Sequence, residues 1–160
     1  MDRLDVKIVD ILQTQGRLTT AEISDEVGLS ASPCARRLKK LEQQGVITGY
    51  RACIDRKKVG LGVTIFVNVG LSNHQEEVIN EFENAIIDMH EIVNAHIVSG
   101  ANDYLLEVVT SDLEHYEQVM RKLQTLSMVK DINTNLAIRS IKSDTPLVFS
   151  AITHDEHGNE

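Results

Sequence analysis

Tryptophan is absent from the chain, and three Tyr and three Phe are its only aromatics. A surface that stacks unpaired bases needs aromatic faces, so single-stranded nucleic acid is a poor fit. Cys34 and Cys53 are the only cysteines. Two are too few for a disulfide framework, and they do not stand at Cys-x-x-Cys spacing. No apolar run is long enough to span a membrane, and MDRLDVKIVD at the N-terminus is too charged for a signal peptide. A reducing cytoplasm is therefore the expected compartment, with no membrane partner. There is no Gly-rich phosphate loop, no nucleophile elbow and no carboxylate pair in a catalytic context, so no enzyme activity and no cofactor are expected. The six histidines are scattered. His154-x-x-His157 lies on a tail without cysteine partners, so no metal site is expected.

What is present is unevenly distributed. At 160 residues and a net charge of -8 the chain holds one or two small domains, acidic as a whole. Through Lys58 there are eleven Lys and Arg against eight acids, and beyond it five against sixteen. The first part can meet phosphate. The second would be repelled by it and should face something else.

Leu4, Ile8, Ile11 and Leu12 recur at helical spacing and predict a helix over 4–15, ended by Gly16. Thr19 or Thr20 caps a short second helix with Glu22 in its first turn, Ile23 and Val27 inward, and Gly28 as its stop. A third helix starts at Ser30 or Ser32, with Ser32-Pro33 a good fit to N-cap and N1. Cys34, Leu38 and Leu41 form its buried stripe. Ser32, Arg36, Lys39, Lys40 and Gln43 fall on the opposite face, with Arg37 on the flank. Val46 to Thr48 and Tyr50 to Ile54 then read as a small β-hairpin, a wing, around Gly49.

A basic outer helix in a tri-helical unit with a wing, on an anionic protein, points to double-stranded DNA. Arg36, Arg37, Lys39 and Lys40 can bond phosphates, and Arg can also read guanine edges in the major groove. Gln43, Ser30, Ser32 and the free N–H groups at the helix start complete the candidate surface. The bland alternative is a solvated helix carrying its share of charge.

The remainder reads as β-α-β-β-α-β. Val63, Ile65, Val67 and Val69 alternate as a strand, and Gln75 to Met89 is an amphipathic helix. Ile92 to Val98 and Tyr104 to Thr110 are strands around Ser99-Gly100-Ala101-Asn102. Asp112 caps a second helix, and Met128 to Ile141 holds the last strand. That order is the ferredoxin-like sandwich. The fold class is thus α+β, a winged helix-turn-helix domain over 1–54 and a ferredoxin-like domain over 63–142. A linker over 55–62 joins them, and a tail over 143–160 follows. Leu147-Val148-Phe149 has the composition to pack locally or on a partner.

RLTTAEISDEVGLSASPCARRLKKLEQQGVITGYRACID followed by VGLG resembles the N-terminal half of the Lrp/AsnC (leucine-responsive/asparagine-responsive) regulators. SGANDYLLEV stands where that family carries a Gly-x-x-Asp-Tyr turn, here Gly100, Asp103 and Tyr104. The resemblance covers about Leu4 to Ile141. It implies a transcription regulator of bacteria or archaea, associated with the nucleoid, whose second domain dimerises through its sheet. Such dimers commonly assemble further to octamers and bind small effectors, usually amino acids, between subunits. Carried over, the ligand turn is Ser99, Gly100, Asn102, Asp103 and Tyr104, with Asn135, Leu136 and Ala137 of the last strand bordering the same pocket. Asp103 can accept from the ammonium of a zwitterion, and the Gly100 turn offers N–H groups to its carboxylate. Gly-x-x-Asp is equally an ordinary hairpin turn. Two other readings compete: an architectural, nucleoid-type DNA-organising protein without an effector, and a small enzyme on the ferredoxin-like half. Nothing but a missing nucleophile–base pair argues against the latter.

Overall fold

The computed structural model describes residues 1–150. His154 and His157, and the end of the expected tail, lie outside them. The chain divides into two compact units, Met1–Cys53 with the segment from Lys142 onward, and Ile54–Ile141.

The first unit is three helices, α1 (Arg3–Thr14), α2 (Thr20–Val27) and α3 (Ala31–Gln43). Each start has a chemical cause. Asp2 accepts from the N–H groups of Leu4 and Asp5, both at 2.9 Å, while Asp5 accepts from the Asp2 N–H at 3.1 Å. Thr19 and Glu22 make the same reciprocal box at α2. Of the four donors that a helix start leaves orphaned, the box at α1 satisfies three and that at α2 two. Gly28 ends α2 with φ 73°, a left-handed conformation that glycine adopts without a Cβ penalty. The turn is then so short that α3 opens at Ser30, not at Ser32. Pro33 therefore sits in the third helical position. Its missing N–H is one of the orphans there too, so nothing is lost. Ile8, Ile23, Val27, Cys34, Leu38 and Leu41 are the buried core of this unit.

No hairpin forms over Val46–Ile54. The N–H groups of Val46 and Ile47 both turn back to the Leu41 carbonyl, at 3.0 and 3.2 Å. Thr48 to Ile54 carries neither turn nor ladder. An isolated two-stranded ribbon is marginal in water, and here one arm of it is already committed to the end of α3. Tyr50 instead returns to that helix, donating to Glu42 Oε1 at 3.0 Å. The segment beyond 142 also reaches this unit. Gln13 Nε2 donates to the Leu147 carbonyl at 3.2 Å, and the Leu147 N–H donates to Gln13 Oε1 at 2.6 Å.

The second unit contains β1 (Val63–Leu71), α4 (Glu76–Ile87), β2 (Ile92–Ile97), β3 (Tyr104–Thr110), α5 (Leu113–Gln124) and β4 (Val129–Leu136). The sheet order is β2-β3-β1-β4, every pair antiparallel. This is the ferredoxin-like arrangement, and Asp112 caps α5 as expected, accepting from the His115 N–H at 2.7 Å. β4 stops five residues short of the expected Ile141. β1 begins at Val63, and after one last bond from the Ala137 N–H to the Thr64 carbonyl the strand has no neighbour.

Alternation sorts β1 cleanly. Ile65, Val67, Val69 and Leu71 are buried with Leu106 and Val108 of β3 under α4 and α5, whose Phe82, Val119 and Leu123 fill the layer. The other face carries Phe66, 39% exposed, and α4 and α5 of this unit pack on the opposite side. Phe82 is fully buried, its ring 4.7 Å from that of Tyr104. Phe82→Ala should lower the stability of this unit by about 3–5 kcal/mol, the usual cost of emptying a core aromatic site. Urea denaturation checks this, and a loss under about 1 kcal/mol would show the layer to be loosely packed.

Candidate functional site

On α3, Ser32, Arg36, Lys39, Lys40 and Gln43 are exposed, as is Ser30 at its cap. The Ser30 hydroxyl makes no capping bond, so it and the first N–H groups of α3 remain open to an anion. Arg36, Lys39 and Lys40 make no ion pair among the described residues. Three neighbouring cations without a protein counter-charge form a positive stripe along the helix, backed by the Cys34–Leu38–Leu41 core that holds it in place.

Arg37 does not belong to that stripe. Its Nη1 lies 2.6 Å from Asp2 Oδ2 and 2.7 Å from Asp5 Oδ1. Asp5 is 5% exposed, and the two carboxylates, that of Asp2 foremost, push the guanidinium pKa further up. The Asp5 N–H and then Arg37 hold the Asp2 carboxyl below its ordinary value. The same two acids that cap α1 thus grip α3, and Arg37 sets the position of the basic helix instead of extending its surface. A flank position on a helical wheel cannot distinguish the two. The sequence's one trace of it is the three-residue spacing of Asp2 and Asp5 at a helix start, which marks a cap but does not name its distant partner.

The expected effector turn sits between β2 and β3. Gly100, at φ 129°, takes a backbone that side chains rarely adopt. Asp103 anchors the turn: its N–H donates to the Val69 carbonyl at 2.9 Å, and its Oδ2 accepts from the Leu71 N–H at 2.7 Å. His74 Nε2 stands 2.7 Å from Asp103 Oδ1. The Leu71 N–H first, and His74 next, hold the Asp103 carboxyl below its ordinary value. Tyr104 is 4% exposed and its hydroxyl donates to Glu83 at 2.9 Å. Burial and then Glu83 push that hydroxyl up to about 12, so Tyr104 is a pillar of the sheet and its tip is already occupied. Beside it a groove of about 460 Å3 opens between α4 and the β2 edge, walled by Ile86, Ile87, Ala95 and Ile97 with Glu83 at its rim.

Asn135, Leu136 and Ala137 do not meet this turn within one chain. β1 pairs Phe66 with Asn135 and Ile65 with Leu136, but Val69 with Tyr104. The turn is thus three residues along β1 from Asn135, about 10 Å, and on the far side of it, about 10 Å more. One small ligand cannot touch both sets in a single subunit. Leu136 is 55% exposed at the uncovered end of β4. His74 reads in the sequence only as one of six scattered histidines, because only the folded register brings the segment after β1 to the turn before β3.

These two arrangements recur in known proteins. Residues 1–48 match the family model for winged helix-turn-helix DNA-binding, and residues 64–147 match that for the Lrp/AsnC ligand binding domain. A proline dehydrogenase transcriptional activator of Rhizobium radiobacter is 37% identical over 143 residues, 89% of this chain and 92% of its own. A leucine-responsive regulatory protein of Haemophilus influenzae is 36% identical over 150 residues, 93% of this chain and 90% of its own. A transcriptional regulator of Neisseria meningitidis, solved as a complex with L-methionine, superposes with a TM-score of 0.87 at 32% identity, covering 92% of this chain and 96% of that one.

Two tests follow from the geometry. Arg37→Ala should destabilise the first unit by about 1.5–3 kcal/mol, the range for hydrogen bonds to charged groups, whereas Arg36→Ala should leave thermal stability unchanged. Equal melting temperatures for the two variants would contradict the bridge. For Asp103 the folded pKa lies below the unfolded one, so its carboxylate contributes stability that is present above about pH 4 and is lost as pH falls through the folded value. Asp103→Asn should therefore be destabilising at pH 7, with the gap to the wild type narrowing by pH 3. Urea midpoints at both pH values check it, and an unchanged gap contradicts it.

Proposed function

The chain belongs to the Lrp/AsnC family of transcriptional regulators, and we propose that it binds specific double-stranded DNA through α3 and alters that binding when an amino acid occupies its second unit. The observation that carries the reading is the exposed, uncompensated stripe of Arg36, Lys39 and Lys40 on an acidic protein. Ser30, Ser32 and Gln43 extend it. Phosphates take the cations, and Arg36 is placed to reach a base edge. Arg37 acts by holding the helix. The work is that of a regulator, carried out at the nucleoid in the cytoplasm.

The effector is an amino acid; the reading is supported by the Neisseria relative, solved as a complex with L-methionine. Asp103 accepts its ammonium, and the turn of Ser99, Gly100 and Asn102 faces its carboxylate. Tyr104 supports the turn from beneath. Asn135, Leu136 and Ala137 come from a second subunit, because the register keeps them away from the turn of their own. Homodimers form over the sheet face around Phe66 and assemble further, to an octamer, bringing these halves together. A ligand held between subunits can shift assembly or helix spacing, a coupling of about 1–3 kcal/mol.

Arg36→Ala and Lys40→Ala should each weaken binding to the protein's own upstream DNA. Each should also lower the slope of log affinity against log salt by about one, as one phosphate contact is lost. Fluorescence anisotropy across a salt series reads both. Unchanged affinity and slope in both variants would remove α3 from the interface.

A further inference from the structure

The carboxylate assigned above to the effector's ammonium already has a partner within the chain at each of its oxygens. Asp103 Oδ2 is held by the Leu71 N–H at 2.7 Å, and Oδ1 by His74 Nε2 at 2.7 Å. The two contacts differ in kind. The backbone bond belongs to the β1–β3 frame, where the Asp103 N–H also reaches the Val69 carbonyl. The imidazole bond is made by a side chain 68% exposed, on the short segment between β1 and α4, whose Asp103 partner is 26% exposed. The segment's own backbone is pinned independently, by the Ser72 N–H to the Met128 carbonyl at 2.8 Å and the Gln75 N–H to Asn73 Oδ1 at 3.1 Å. The ring can therefore swing away from Asp103 while the loop stays put.

We propose that His74 is a built-in competitor for the effector's ammonium: it occupies the Asp103 oxygen that the ligand needs, and its displacement sets how much amino acid the protein requires. The proposal rests on the effector reading of Asp103. A carboxylate oxygen has a second lone pair, so neutral imidazole and ammonium could in principle share it. Protonated imidazole already compensates the carboxylate charge, however, and its cation then repels a second one brought to the same atom. In either state the ring covers a group that is mostly buried. Of the other charges nearby, Lys130 adds only a longer-range attraction to the Asp103 carboxylate, the smallest of the causes that lower its pKa. Lys130 on β4 pairs with Asp131 at 3.3 Å, and Glu83 on α4 accepts from Tyr104 at 2.9 Å. None of them takes the place of His74 at Oδ1. A protein whose binding-competent state is only partly populated shows an apparent affinity reduced by that fraction. An exposed pair of this kind accounts for a factor of about two to five.

The test uses the full-length protein and its His74→Ala variant. All twenty amino acids are screened by thermal shift, and the tightest binder and its des-amino analogue are then carried to titration calorimetry. Removal of the imidazole should tighten the amino acid about two- to fivefold and leave the des-amino analogue, which brings no cation to Asp103, no tighter than before. Binding by the variant alone also supports the proposal. Unchanged or weaker binding of the amino acid in the variant overturns the competition while leaving the effector reading intact. Equal tightening of both ligands overturns it too, because His74 would then be an obstruction indifferent to the ammonium. No binding of any amino acid by either protein overturns the effector reading itself, and the competition with it.

Discussion

β1 is paired on both sides, with β3 on one and β4 on the other, and most of what the second unit can do depends on that placement. Its alternation buries Ile65, Val67 and Val69 under the helices and turns Phe66 to the other face. Its register draws Asp103 to the Leu71 N–H, which makes a rigid corner of the turn before β3. The same register carries Asn135 and Leu136 to the opposite end of the strand. A sheet built this way cannot complete the expected pocket alone. The turn before β3 and the end of β4 lie apart in one chain, and the sheet face that carries Phe66 is shared with Asn68, Glu107 and Asn135; the proposed second copy would bring the two ends together.

The first unit solves a different problem. Its helix α3 must present cations to solvent while staying fixed, and cations on a mobile element bind without orientation. Packing of Cys34, Leu38 and Leu41 fixes the helix from below. Arg37 fixes it from the side, through two carboxylates that also cap α1. One basic residue is thus tied to the acids of α1, while Arg36, Lys39 and Lys40 stay exposed and without an ion pair among the described residues. Orientation of this kind is what separates reading of base edges from general attraction to phosphate.

Where periodicity was strong, the sequence was a sound guide. The alternating Val63–Val69 run, the caps at Thr19 and Asp112, and the buried stripe of α3 all stand where the pattern placed them. The misses have particular causes. Val46–Ile54 has strand-like residues but no strand to pair with, and pairing is not written in a local pattern. Of the two starts offered for α3, Ser30 is the one used, because Gly28 had already turned the chain, so only the finer fit of Ser32-Pro33 to a cap fails. Arg37 looks like its neighbours until Asp2 and Asp5, some thirty residues earlier, are seen against it. Asn135 and Gly100 lie in motifs of one family, and motif order gives no distance between them. His74 has no motif at all. The exposed and buried faces of a single helix were therefore legible, and neighbours brought together from several elements were not.

The central claim is that a positive helix reads DNA and a ligand in the second unit changes that reading. Fluorescence anisotropy of the protein on its own upstream DNA and on a scrambled fragment tests both halves together, over a salt series with and without a mixture of amino acids. The account expects tighter binding to the protein's own fragment and a shift of that binding by the mixture. Equal, steeply salt-dependent binding to both fragments, unaffected by the mixture, would contradict it and leave an architectural DNA-organising protein in its place.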